Sequence, residues 1–129
     1  MMDGTRNPTD ALITQLLELH LALLELTRRE YEQTNGRVNG SGEMLQLVTQ
    51  HASFAWLRPL SRLVIDLDDP DAFAAAGSER ALAERLFAPG NLFHERYVDV
   101  LQAEPHVGLA HAEVKRAIAA LPERAPPSV

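Results

Sequence analysis

An all-α fold, a compact bundle of five to six helices with a long first helix, is what three features of the sequence predict. Apolar residues recur every three or four positions through most of the chain, the spacing that lines one face of a helix. Glycine, proline and asparagine cluster between those stretches, at 35–42, 89–91 and 105, where they cap or break helices. No stretch alternates apolar and polar residues for long enough to outweigh the helical pattern. At 129 residues the chain is expected to form one helical domain, 1–129, frayed at 1–8 and 122–129.

The first helix is expected from an N-cap at Thr9 or Asp10 to Asn35, with Gly36 as its C-cap. Leu12, Leu16, Leu19, Leu23 and Leu26 form one apolar stripe, and Ile13, Leu17, Leu24 and Tyr31 the neighbouring one. A second helix starts at Ser41 and runs to about His51, with Glu43 facing its positive end. Pro59 removes an amide donor and clashes with the carbonyl four residues back, so a turn over Ser53 to Arg58 and a third helix from Pro59 to Asp68 are expected. The run "DDPDAFAAAG" reads as a connector with at most one short turn around Phe73. Ser78 caps a fourth helix that Pro89-Gly90 ends, and Asn91 caps a fifth, "LFHERYVDVLQAE". Pro105 opens a sixth, with Val107, Ala110, Val114, Ile118 and Leu121 inward.

Composition excludes several functions. A net charge of −6 repels phosphate backbones, and the eleven arginines and single Lys115 are scattered, so nucleic acid is not expected as a partner. The longest apolar run, Ala11 to Leu26, is interrupted by Thr14, Gln15, Glu18, His20 and Glu25, so no membrane span is expected. The first fifteen residues do not read as a secretory signal, and the absence of cysteine suits a cytoplasmic location while removing thiol chemistry. "DLDDPD" fails as a calcium loop, because Asp71 stands where the turn glycine belongs and Gly77 where the bidentate glutamate belongs. "HERYV" has Val98 in place of the second histidine of a zinc motif, and no Gly-x-Ser-x-Gly is present. No residue is assigned a catalytic role.

Two sets of side chains remain as candidates. His20, His51 and His111 lie on the apolar faces of three helices, so they could converge on a metal inside the bundle; alternatively each is a core or boundary histidine with a single hydrogen bond. Trp56, Arg58, Asp66 and Tyr97 form the second set, as either a polar network or a cofactor-binding pocket of unknown ligand. In the network reading Arg58 and Arg62 find acceptors in Asp66 and Tyr97.

The segments "FAWLRPLSRLVIDLD" and "FHERYVDVLQAEPHVGLAHAEVKRAI" resemble a group of small bacterial all-helical proteins of uncharacterised function that share a Phe-x-Trp-Leu-Arg-Pro-Leu-Ser stretch. About forty residues carry the likeness, which implies a shared fold and brings no activity with it. It also pairs Trp56, Arg58, Pro59, Ser61 and Asp66 with Arg96, Tyr97 and His111 as segments to compare. Three function classes follow: an interaction or regulatory module, a homo-oligomer or partner-protein binder through the broad Leu12–Tyr31 face; a metal or small-cofactor binder using the histidines; and an enzyme with a pocket near Trp56, Arg58 and Asp66.

Overall fold

A computed structural model describes residues 7–122, and these fold into seven α-helices, one 3-10 helix and no strand. In chain order they are α1 (Pro8–Asn35), α2 (Gly40–Gln50), the 3-10 helix Ala52–Leu57, α3 (Arg58–Asp66), α4 (Pro70–Ala76), α5 (Glu79–Leu86), α6 (Leu92–Ala103) and α7 (Pro105–Ala119). The all-α class and the long first helix are as expected, but there are more helices than five or six. Of the ends expected to fray, 1–6 and 123–129 lie outside the described residues. Within them, Asn7 is the N-cap of α1, accepting from the Asp10 amide at 2.8 Å, and Pro8 opens the helix. The cap therefore stands two residues before Thr9.

α1 runs for 28 residues because nothing in it interrupts the 3.6-residue period, and it stops where Gly36 adopts a φ of +84°. Leu12, Leu16, Leu19 and Leu23 are fully buried and Leu26 nearly so. They pack most extensively along α7, and also against the 3-10 helix and α3. Leu→Ala at any of the four would remove buried methyl groups at about 2–5 kcal/mol.

The extra helix is α4. Asp69 is its N-cap, with a side-chain oxygen accepting from the Asp71 amide at 3.0 Å, Pro70 supplies the preset φ of a first turn, and Gly77 (φ +101°) ends it. The acidic run is thus split between two helix ends. Asp66 closes α3 and pairs with Arg62 at 3.0 Å, while Asp69 and Asp71 sit at the start of α4, the end that favours negative charge. Upstream, the stretch before Pro59 is a 3-10 helix, which places Pro59 in the first turn of α3, where no helical amide bond is lost.

Asn91 joins α5 to α6. Its side-chain oxygen accepts from the His94 amide at 2.8 Å, and its Nδ2 donates to the carbonyls of Arg85, Leu86 and Ala88 at 3.0–3.2 Å. One side chain so satisfies the orphan groups of two helix termini and fixes the angle between them. Both helices lean on α7, and the wedge between the three is where the candidate site lies.

Candidate functional site

The three candidate histidines are not brought together. His20 Nε2 lies 3.0 Å from Ser61 Oγ, which ties α1 to α3. His51 ends α2, stands edge-on to Tyr31 at 5.0 Å, and its Nδ1 accepts from the Ser53 amide at 3.0 Å. His111 Nδ1 is 2.8 Å from the Tyr97 hydroxyl. Among the described residues, no group of three or more histidines, aspartates and glutamates is placed to hold a metal ion. Each ring has its own local hydrogen-bond partner.

The second set also disperses. Arg58 donates to the Thr49 carbonyl at 2.9 Å, covering the C-terminal end of α2, and does not meet Asp66 or Tyr97. Asp66 keeps Arg62 and lines a shallow groove with Pro59, Leu82 and Arg85. Trp56 lines a separate cavity with Tyr31, Leu92 and Arg96, so no common pocket joins Trp56 and Asp66 there. The two segments that resemble the bacterial helical group do meet around Trp56: its ring stacks on Phe93, and the Arg96 guanidinium lies 5.7 Å over it and pairs with Glu30 of α1 at 2.5 Å.

Aromatic rings connect Trp56 to Tyr97 through the core. Trp56 stacks on Phe93 at 5.7 Å, Phe93 on Tyr97 at 4.7 Å, and Phe87 stands edge-on to Phe93 and His111 at 6.0 and 5.5 Å. Trp56 is 6% exposed, and its Nε1–H is buried without a hydrogen-bond partner among the described residues. At the other end of the row, Tyr97 and His111 form part of the wall of a pocket of about 370 Å³.

Three helix faces build that pocket. α5 and the residue after it supply Arg80, Glu84 and Phe87, spaced four and three apart; α6 supplies His94, Tyr97, Val98 and Leu101; and α7 supplies His111, Lys115, Ile118 and Ala119. Each set follows helical periodicity, so each lies on one side of its helix. Phe87, Val98, Leu101, Ile118 and Ala119 give an apolar lining, and the ionisable groups supply the polar points. Tyr97 and His111 were reachable from the sequence as inward residues of their helices. His94, Lys115 and Arg80 were not singled out, although the spacing His94, Tyr97, Val98, Leu101 carries the signal of one face.

Burial governs the protonation of this wall. It holds the Tyr97 phenol well above its ordinary range, because the phenolate would lose its hydration. Burial first, and the nearby Lys115 charge second, hold the His111 imidazole below its usual value of 6.5. Both groups are therefore neutral near pH 7. A Tyr97 hydroxyl donating to an unprotonated Nδ1 satisfies both partners, whereas the reverse tautomer would leave the hydroxyl hydrogen without an acceptor. His111 then carries its own proton on Nε2.

The charges around the pocket are unequal. Arg80 Nε lies 3.5 Å from Glu84 Oε2, which balances one cation. Lys115 makes no ion pair among the described residues, and it is the only lysine of the chain. No family model, curated protein or solved structure matches the chain.

Proposed function

We propose that the chain is a small-ligand-binding module whose site is the pocket between α5, α6 and α7. One observation carries this reading: a cavity of about 370 Å³ whose apolar lining is punctuated by a hydrogen-bonded Tyr97–His111 pair and a few charged side chains. Ligand sites have this make-up, an apolar body with few orienting polar groups, and the volume is near the small end of their range. A single ring or a short acyl chain fits that size. The site lies at Tyr97 and His111 rather than beside Arg58 and Asp66. The proposed setting is the cytoplasm, which the cysteine-free sequence suits.

The test is a thermal-shift screen of single-ring and short-chain amphiphiles on the wild type and on Val98→Trp, which places an indole at the pocket rim. A ligand at a hundred times its Kd stabilises by about 2.7 kcal/mol, which for a domain of this size raises the midpoint on the order of 5–10 °C. The reading requires fragments that stabilise the wild type and fail on Val98→Trp. Fragments that act equally on both proteins, or none that act at all, count against it.

A second reading, a homodimer across α1, rests on Leu17 and Leu21, which are one turn apart and 46% and 66% exposed. The broad face expected to serve this purpose is mostly spent within the chain, since Leu12, Leu16, Leu19, Leu23 and Leu26 are buried under α7, α3 and the 3-10 helix. Only the flanking ridge is left for a partner. Light scattering at micromolar concentration separates monomer from dimer.

A further inference from the structure

We propose that the α5–α6–α7 pocket selects an organic carboxylate, a single carboxyl group on a compact apolar body, with the carboxylate beside Lys115 and the body against Phe87, Val98, Leu101 and Ile118. The inference rests on the ligand-binding reading and adds the chemical class of the ligand.

Charge is the first argument. The chain carries −6 overall, yet among the described residues the charged lining of this pocket is one acid, Glu84, against Arg80 and Lys115, with His94 and His111 as further nitrogen bases. Glu84 already faces Arg80 at 3.5 Å, so the pair is close to neutral from outside. What remains uncompensated is the Lys115 ammonium, four residues along α7 from His111 and on the same face. A cationic ligand would meet that charge unfavourably. A neutral one would leave it as it is, and an anion would complete it.

Valence and shape narrow the class further. Phosphate sites draw on several converging donors, commonly arginine forks or the amides of a helix start or glycine loop. Here one flexible ammonium stands beside the neutral His111 imidazole; Arg80 and His94 lie in the first turns of α5 and α6, but Arg80 faces Glu84 and the His94 amide is already held by the Asn91 side chain, which suits a singly charged group. The remaining lining is aromatic and aliphatic, so affinity comes from an apolar body and orientation from the carboxylate.

Proton linkage gives a second, independent readout. The titratable groups lining the pocket are Arg80 and Glu84 from α5, His94 and Tyr97 from α6, and His111 and Lys115 from α7. Lys115 disfavours a proton on His111. An anion that neutralises Lys115 removes that opposition, so binding strengthens as pH falls from 8 towards 6 and is accompanied by proton uptake.

The experiment is calorimetric titration of the wild type, Lys115→Met and Val98→Trp with two matched probe sets at low salt: phenylacetate, phenylacetamide and phenethylamine, and hexanoate, hexanamide and hexylamine. Phenyl phosphate is the fourth arm. The wild type is expected to bind the acids about tenfold or more tightly than the amides, with the amines and phenyl phosphate weaker still. Lys115→Met is expected to bring the acids down to the amides while leaving the amides unchanged, and Val98→Trp to weaken every probe. Amides, amines or phenyl phosphate binding as tightly as the acids, with Val98→Trp still blocking them, overturns the carboxylate assignment and leaves the pocket standing. Probes that bind no better to the wild type than to Val98→Trp overturn both.

Discussion

At the scale of single residues, hydrogen-bond completeness separates the informative side chains from the rest. Tyr97 and His111 complete each other, and Tyr97→Phe leaves Nδ1 without its donor. The expected loss is about 1 kcal/mol in urea unfolding, with the rest of the aromatic row intact. Trp56 is the opposite case, since its buried Nε1–H lacks a partner among the described residues and that donor gains nothing from burial. Trp56→Phe is therefore expected to cost well under the roughly 3–5 kcal/mol of Phe93→Ala, measured on the same unfolding curves. Protonation adds a third prediction. Burial holds His20 and His111 below their unfolded value of 6.5, so the unfolded chain takes up protons more readily. Stability from these groups is complete above pH 6.5 and is lost as pH falls through their lower folded values. Urea midpoints at pH 7.5, 6.5 and 5.5 should decline in that order, and a rise towards pH 5.5 would contradict the assignment. At this scale the sequence was legible only in part. That His111 and Tyr97 face inward follows from their positions among apolar residues, but which atom each meets depends on how α6 lies on α7. Arg58 illustrates the gap, because its acceptor is a backbone carbonyl that no residue type reveals.

At the scale of elements, legibility followed periodicity. α1 and α7 could be read because their leucine and valine spacings repeat over many turns. α4 could not, because its seven residues are too short for a period, and Asp-Asp-Pro-Asp serves equally as the end of one helix or the cap of the next. The link between α5 and α6 was half readable: Asn91 is a plain N-cap in the sequence, but its three donations back to the end of α5 appear only in the fold. Removing it should therefore exceed an ordinary cap loss. Asn91→Ala is expected to destabilise by about 2 kcal/mol, at the upper end of the range for caps. Asn91→Asp keeps the acceptor and loses the donors, so it should fall in between, and equal effects of the two substitutions would mean that only the donated bonds matter. Because α5 and α6 both wall the pocket, Asn91→Ala should also weaken probe binding without touching the lining.

At the scale of the whole molecule, the arrangement is a long helix whose buried leucines hold α7, with α5 and α6 leaning on α7 and an amphipathic pocket between the three. The pocket was hidden in the sequence because its lining is spread over residues 80–119 and drawn from three separate helix faces, each of which by itself reads as ordinary amphipathic pattern. No described helix is long and apolar enough to cross a membrane, and Leu17 and Leu21 form an exposed apolar ridge on α1. Should a dimer form, Leu21→Glu is expected to return it to a monomer by light scattering without lowering the thermal midpoint of the monomer. The central claim is the pocket itself, and a ¹⁵N-resolved NMR titration of the wild type with phenylacetate tests it most directly. The account predicts saturable shifts in the amides of Val98, Leu101, His111 and Lys115, with those of α2 unmoved. Shifts centred on α2 or the Trp56 cavity, or none at millimolar ligand, would contradict it.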